Sequence, residues 1–200
     1  MSKILILFAH PALEKSRVHR RLIRNIKSND TITFRDLYEQ YPDFDIDIQR
    51  EQSLLLEHDI IIWQHPFYWY SAPAMIKQWL DLVLEHGWAY GKNGHMLAGK
   101  QVLNVISCGG SKEVYCHEGR NRFTIRELLA PFEQTARLCQ MNYLPPFVIH
   151  GTHKITPESL EEAGRHYESL LDFLLHNDAG LFQTEPGGYI NNLVPELQNR

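Results

Sequence analysis

Three loops of the chain combine residue types suited to binding a charged, planar ligand. The first contains His10, Ser16 and Arg17, which offer hydrogen-bond donors and positive charge. A predicted helix follows, and the free N–H groups at the start of a helix favour an anion such as phosphate. We therefore predict that this loop, with Val18 and His19 in the next turn, binds an anionic group. An ordinary N-capped helix is the alternative.

The second loop carries four consecutive aromatic residues directly after Pro66: Phe67, Tyr68, Trp69 and Tyr70. Consecutive side chains point in different directions, so they cannot all enter one core. Stacking and edge contacts make such a loop suitable for a planar conjugated ring. A small apolar cluster beneath the loop is the alternative.

The third loop reads Ser107-Cys108-Gly109-Gly110. Two glycines allow a ligand to approach the backbone closely and leave N–H groups free to donate, although a simple turn is the alternative. The first loop has neither a G-x-G-x-x-G dinucleotide motif nor the Gly-Lys-Ser/Thr of a P-loop. Taken together, the three loops fit a flavin mononucleotide, with its phosphate at the first loop and its ring between the other two.

The elements that position these loops alternate between strand and helix. Apolar runs predict strands over residues 3–8, 31–35, 58–64, 101–106 and 145–150. Helical spacing predicts helices over residues 16–28, about 47–57, about 73–86, about 123–141 and 156–176. This order predicts an α/β fold, a doubly wound, five-stranded parallel sheet with helices on both faces. Ligands bind such sheets at the carboxyl ends of the strands, where the three loops lie.

One domain is expected over residues 1–178, with a separate segment over residues 179–200. The latter contains Pro186-Gly187-Gly188 and shows no hydrophobic periodicity. We interpret it as a disordered tail or as an arm that packs on a partner chain.

Composition narrows the functional class. The chain has 200 residues and a net charge of −4, so it lacks the basic surface of a nucleic-acid-binding protein. Its apolar runs are too short to span a membrane, and the short run before His10 lacks the features of a signal peptide. Three cysteines without a C-x-x-C pair indicate a cytoplasmic protein. Eleven scattered histidines predict no metal site.

The sequence resembles the NAD(P)H:quinone oxidoreductase family of flavodoxin-like proteins. Within it, the chain is most similar to bacterial ancillary proteins of glutathione-gated potassium efflux systems. The resemblance covers about residues 1–177 and rests on these positions: Ala9-His10-Pro11, Ser16, Leu37-Tyr38, residues 41–47, Gln64-His65-Pro66, Trp69-Tyr70, Leu80-Asp81, residues 86–91, Gly109-Gly110 and residues 144–147.

This resemblance implies a homodimer that binds FMN, with FAD as the alternative. The flavin would take a hydride from NADH or NADPH and reduce a quinone by two electrons. Flavin contacts are implied at His10, at residues 16–19, at residues 67–70 and at residues 107–110. Where the family has Thr-Thr-Gly-Gly, this chain has Ser-Cys-Gly-Gly, so a thiol replaces a hydroxyl beside the ring.

Tyr115 matches a tyrosine that assists hydride transfer in the mammalian quinone reductases, which the chain also resembles. The histidine that accompanies this tyrosine is replaced by Asn121. His117, two residues from Tyr115, is a candidate substitute, and an ordinary solvated loop histidine is the favoured alternative. We therefore predict Tyr115 as the catalytic side chain.

Two other functions compete with a quinone reductase. The first is a regulatory subunit of a potassium/proton antiporter, which would lie at the inner face of the cell membrane. The second is a one-electron flavodoxin carrier. A net charge of only −4 and the long insertion over residues 84–99 favour an enzyme over a carrier.

Overall fold

A computed structural model describes residues 1–176 and 188–192. Six strands form one sheet: β1 (Ile4–Phe8), β2 (Ile32–Asp36), β3 (Ile60–Pro66), β4 (Gln101–Ser107), β5 (Asn142–Tyr143) and β6 (Phe147–Ile149). Seven α-helices are seen in the described residues: α1 (Arg17–Ile23), α2 (Leu37–Gln40), α3 (Ile48–Glu57), α4 (Ala74–Val83), α5 (Ile125–Leu128), α6 (Ala130–Leu138) and α7 (Pro157–His176).

The sheet has the predicted doubly wound topology. Its strand order is β2-β1-β3-β4-β5, with β6 also paired to β4, and every pairing is parallel. The order reverses direction between β1 and β3, which makes their carboxyl ends the switch point of the sheet. The predicted doubly wound parallel sheet is confirmed, but it has six strands: β6 lies within the fifth strand predicted over residues 145–150, whereas β5 lies before it and was not predicted. Pro145 and Pro146 separate β5 from β6, because proline has no N–H for a strand ladder.

Each face of the sheet carries its own apolar core. On β1, Leu5 and Leu7 face the core that includes side chains of α3, α4, α5 and α6. Ile4 and Ile6 face the opposite core, which contains side chains of α1 and α7. Because β1 is covered on both faces, it consists of consecutive apolar residues rather than alternating ones.

Two predicted helices are shorter than expected. The first ends at Ile23, not at residue 28. The region predicted as one helix over about 123–141 is divided into α5 and α6 at Leu129. Pro131 explains the division, since proline has no N–H for the helix and belongs in a first helical turn.

The C-terminal segment predicted as a tail or arm lies largely outside the described residues. Its described part, residues 188–192, packs on the protein itself, with Ile190 fully buried. No helix of the described chain is long and apolar enough to cross a membrane.

Candidate functional site

A cavity of about 620 Å³ opens at the carboxyl ends of β1, β3, β4 and β6. It lies beside the switch point, where doubly wound sheets bind ligands, and its size is typical of cofactor pockets. Its lining residues are His10, Ala12, Lys15, Ser16, Arg17, Val18, Pro66, Phe67, Tyr68, Trp69, Ser107, Gly109, Thr152 and His153. The three loops singled out in the sequence therefore meet around one cavity.

The first loop gives the cavity a positively charged end. Ser16 is the N-cap of α1, and its hydroxyl accepts a hydrogen bond from the His19 N–H at 3.1 Å. Lys15 and Arg17 flank this cap, are exposed and line the cavity. Neither forms an ion pair within residues 1–176 and 188–192. This end can therefore hold an anion by charge and by hydrogen bonding.

Two neutral histidines adjoin this end, His10 in the cavity lining and His19 behind it. Burial lowers the pKa of His10, whose Nδ1 accepts a hydrogen bond from the Ala12 N–H at 3.1 Å. Burial, together with His10 and His65, holds the pKa of His19 well below its usual range. The His19 Nε2 lies 2.9 Å from the Ser107 hydroxyl, whereas its buried Nδ1 has no protein partner. This nitrogen is enclosed by protein, and His19 does not line the cavity.

The aromatic loop forms one wall of the cavity, and its residues diverge as predicted. Phe67 is buried, whereas Trp69 is 92% exposed. Trp69 and Tyr70 have φ values of 50° and 63°, a left-handed conformation that bulky residues rarely adopt. Backbone strain of this kind is commonly found at ligand-binding loops. It leaves the Trp69 indole free to cover a planar ligand.

Gly109 and Gly110 of the third loop form the facing wall, which we call the glycine wall. A Cβ atom on Gly109 would lie 2.6 Å from His153 Nε2, and one on Gly110 would lie 2.7 Å from Val114 Cγ2. Gly110 is the more restricted position, because a Cβ there would also lie 2.9 Å from the Tyr115 ring, whereas the contact at Gly109 is with the far end of the exposed His153 side chain, which can move. Thr152 and His153, which follow β6, complete this part of the cavity. We did not predict these two residues or Lys15, although the carboxyl-end rule applied to the fifth strand would have found the first two.

The Cys108 thiol lies behind the glycine wall rather than on the cavity side. Its Sγ is 3.3 Å from His150 Nδ1 and 3.6 Å from the Ile149 carbonyl oxygen. Burial raises the pKa of Cys108 to about 12, so it is a neutral thiol at physiological pH. A neutral, buried thiol is not a nucleophile.

Tyr115 lines a second, smaller cavity of about 190 Å³, together with Phe67, Trp69, Tyr70, Arg120 and Asn121. Phe67 and Trp69 line both cavities, so the smaller one adjoins the larger. Burial and the neighbouring Cys108 raise the pKa of Tyr115 to about 12, which keeps its phenol protonated. His117 instead pairs with Glu127 at 2.9 Å and lines neither cavity.

Most predicted contact residues reach one of the two cavities. Four of them lie just outside the larger one: His19 and Cys108 behind its wall, Gly110 against Val114, and Tyr70 in the smaller cavity. The described residues contain no group of three or more His, Cys, Asp or Glu side chains that would hold a metal ion. The donor set therefore fits a flavin mononucleotide: cations and a hydroxyl at one end, and an aromatic side chain facing open backbone at the other.

Comparison with known proteins places the chain in a family. A family model described as "Flavodoxin-like fold" matches residues 2–171. The chain belongs to this family. A Bacillus subtilis protein named as an uncharacterized NAD(P)H oxidoreductase, YrkL, is 44% identical over 172 residues, which are 86% of this chain and 97% of that protein. The KefG ancillary protein of the glutathione-regulated potassium-efflux system of Pectobacterium carotovorum is 44% identical over 165 residues, 82% of this chain and 90% of KefG.

Solved structures of flavodoxin-like relatives agree with this assignment. General stress protein 14 of Treponema denticola, solved in complex with FMN, superimposes with a TM-score of 0.82 at 39% identity, covering 86% of this chain and 99% of that one. A protein from P. pentosaceus described as an NADPH-quinone reductase gives a TM-score of 0.77 at 33% identity, covering 88% and 99%.

Proposed function

We propose that this protein is an FMN-dependent NAD(P)H oxidoreductase that passes two electrons to a quinone-like acceptor. The observation that carries the proposal is the single cavity at the switch point, with a cationic end and an aromatic wall opposite open backbone. The FMN complex of the Treponema denticola relative supports the cofactor. The names of the YrkL and P. pentosaceus proteins support the donor and the acceptor class.

In this proposal each end of the cavity has a separate task. Lys15, Ser16 and Arg17 bind the phosphate, since they combine two cations with a hydroxyl. Trp69 covers one side of the flavin ring, and the Gly109 backbone approaches the other edge. The bound flavin would supply reversible two-electron chemistry, while the protein orients it and excludes competing reactions.

The smaller cavity is the proposed position of the nicotinamide or acceptor ring. Its aromatic walls suit a planar ligand, and Arg120 lies at its edge. The protonated Tyr115 phenol can donate a hydrogen bond to an oxygen of such a ligand. Donation of this kind stabilises negative charge that develops on a quinone oxygen.

The experiment that tests this function is a visible absorbance spectrum of the protein with FMN, followed by anaerobic addition of NADH or NADPH. We expect flavin peaks that bleach in one two-electron step and return when menadione is added. Arg17→Ala should weaken FMN binding. Arg20→Ala should not, because Arg20 is exposed, lies one helical turn further along α1 and is outside the cavity lining. A protein that remains colourless with FMN and FAD would refute the proposal, and a stable semiquinone would favour a one-electron carrier.

A homodimer is part of the proposal. An apolar groove of about 500 Å³ lies between α4 and α6 and is lined by residues that include Ile76, Leu80 and Leu138. Leu138 is 53% exposed, as a residue at an interface between copies would be in the single chain. Light scattering should give twice the 23.4 kDa chain mass, and Leu138→Glu should give the monomer. Leu56→Glu, a similarly exposed leucine on α3, is the control.

The similarity to KefG supports a second function, that of an ancillary subunit of a potassium antiporter. The two functions are compatible, because one protein can be both enzyme and activator. Purification from cells that express the antiporter distinguishes them: a free reductase stays in the cytoplasmic fraction, as the unpaired Cys108, Cys116 and Cys139 favour. An ancillary subunit would instead sediment with the membranes only when the antiporter is present.

A further inference from the structure

The described C-terminal residues complete the open edge of β6. This strand pairs with β4 on one side. On its other side, the Asn191 side chain takes the place of a neighbouring strand. Its Oδ1 accepts a hydrogen bond from the Val148 N–H at 2.8 Å, and its Nδ2 donates one to the Val148 carbonyl oxygen at 3.1 Å. The Ile190 N–H also donates to the Pro146 carbonyl oxygen at 3.1 Å.

The two residues before Asn191 are seated in the body of the protein. Ile190 is fully buried and belongs to the same apolar core as Phe147 of β6. The Tyr189 ring packs against His150, with 5.5 Å between the ring centroids, and the Lys112 Nζ lies 5.8 Å from the Tyr189 ring centre. The side chains and the backbone of this segment thus hold both β6 and His150, the residue that follows it.

Strand β6 in turn fixes the glycine wall of the larger cavity. The Cys108 N–H donates to the Ile149 carbonyl oxygen at 2.8 Å. The Gly151 N–H donates to the Gly110 carbonyl oxygen at 2.9 Å, and the Thr152 N–H donates to that of Cys108 at 3.2 Å. A shift of β6 therefore moves the wall that faces the aromatic loop.

The family match ends at residue 171, so residues 188–192 lie beyond the part that the family model describes. We propose that Asn191 and Tyr189 are positioning residues, which hold β6 and through it the Gly109-Gly110 wall, and that this C-terminal segment thereby sets the affinity of the cavity for its flavin. The flavin part rests on the proposed function, whereas the control of the wall by the segment stands without it.

The test compares Asn191→Ala with Asn192→Ala in the full-length chain. Asn192 is the adjacent residue of the same type and is exposed, so its substitution is a matched control. The first measurement, made without FMN, is the rate at which iodoacetamide modifies Cys108, with the buried Cys139 as the internal reference. The second is the dissociation constant for FMN from quenching of its fluorescence.

We expect Asn191→Ala to accelerate modification of Cys108 and to weaken FMN binding, each by up to about thirtyfold, since it removes both hydrogen bonds to Val148 and each contributes about 1 kcal/mol, or about fivefold. Cys139 should react as slowly as before, and Asn192→Ala should match the unsubstituted protein. Asn191→Asp should restore neither property, because its second carboxylate oxygen would face the Val148 carbonyl oxygen, to which the Asn191 Nδ2 donates. Tyr189→Phe should have no effect, whereas Tyr189→Ala should resemble Asn191→Ala.

Unchanged Cys108 reactivity and FMN affinity in Asn191→Ala would overturn the inference. Equal acceleration at Cys108 and Cys139 would also overturn it, since this indicates general unfolding rather than a local shift of the wall. If no variant binds FMN but Asn191→Ala still exposes Cys108 selectively, the proposed function fails while the positioning role is retained.

Discussion

Glu51 and His19 are both fully buried polar residues, yet they differ in how many hydrogen bonds they complete. Both carboxylate oxygens of Glu51 are occupied: Oε1 accepts from Arg35 at 2.5 Å and from the Tyr41 hydroxyl at 2.8 Å, and Oε2 accepts from the Trp79 Nε1 at 2.9 Å. The carboxylate thus ties β2, α3 and α4 together. Only the Arg35 Nε in this cluster lacks a partner.

The buried histidines near the cavity form fewer of their possible hydrogen bonds. His19 has one ring nitrogen bonded to Ser107 and one unpaired, and the His150 Nε2 is also unpaired. A buried polar group without a partner costs free energy. Both oxygens of the Glu51 carboxylate are thus paired within the fold, whereas the imidazoles of His19 and His150 each keep one unpaired nitrogen.

The largest expected effect is at Glu51. Glu51→Ala leaves the Arg35 charge, the Tyr41 hydroxyl and the Trp79 N–H without their common partner. We expect the free energy of unfolding to fall by about 3–5 kcal/mol, the usual cost of breaking a buried ion pair. Urea denaturation measures it, with Glu57→Ala, an exposed glutamate on the same helix, as control. A loss below about 1 kcal/mol would remove the distinction between the clusters.

The second prediction concerns His65, whose two ring nitrogens are both hydrogen-bonded. Its Nδ1 donates to the Pro66 carbonyl oxygen, and its Nε2 accepts from Asn104, whose Oδ1 accepts from the Tyr143 hydroxyl. Burial lowers the pKa of His65 to about 4 from the usual 6.5. The unfolded chain therefore binds a proton more readily, and stability falls as the pH falls from about 6.5 towards 4.

The shift of His65 amounts to about 3 kcal/mol over this pH range. His65→Asn should flatten the dependence of unfolding free energy on pH by about this amount, since it removes the titrating group. The same slope in His65→Asn and the unsubstituted protein would show that His65 is not neutral in the folded state.

The glycine wall provides the next test, because it belongs to the cavity rather than to the Glu51 cluster. A side chain on Gly110 would meet Val114 and lie 2.9 Å from the Tyr115 ring. We expect Gly110→Val to weaken FMN binding about a hundredfold, equivalent to about 2.7 kcal/mol, with Gly110→Ala intermediate. Equilibrium dialysis measures this, and urea denaturation without FMN measures how far crowding against Val114 and Tyr115 lowers the free energy of unfolding. A Gly110→Val protein that purifies fully yellow would refute the role of this wall.

The sequence predicts the sheet and its cavity well, but it does not predict the long-range partners of Glu51 and Asn191. The sheet and its switch point follow from continuous apolar runs such as Ile60-Ile61-Ile62, and the cavity follows from the rule that ligands bind at strand ends. The partners of Glu51 could not be predicted, because Arg35 and Trp79 are 16 and 28 residues away along the chain and no short motif marks them. The docking of Asn191 on Val148 was equally hidden, since its 43-residue separation has no local pattern.

Two tyrosine hydroxyls give the smallest expected effects, and one should affect stability where the other affects turnover. The Tyr143 hydroxyl donates to Asn104 at 2.6 Å within the His65 cluster, whereas Tyr115 faces the smaller cavity. Tyr143→Phe should lower the free energy of unfolding by about 1 kcal/mol and leave turnover unchanged. Tyr115→Phe should do the opposite, lowering the rate of menadione reduction about tenfold with FMN affinity and stability retained.

Stopped-flow measurement of flavin reduction and reoxidation locates the Tyr115 effect in one half-reaction. Because the Tyr115 phenol stays protonated up to a pKa of about 12, its contribution should not vary between pH 6 and pH 9. A rate that Tyr115→Phe leaves unchanged would exclude hydrogen-bond donation by this phenol. In that case the backbone donors of the glycine wall would carry the electrostatic stabilisation alone, and only Gly110 substitutions would slow the reaction.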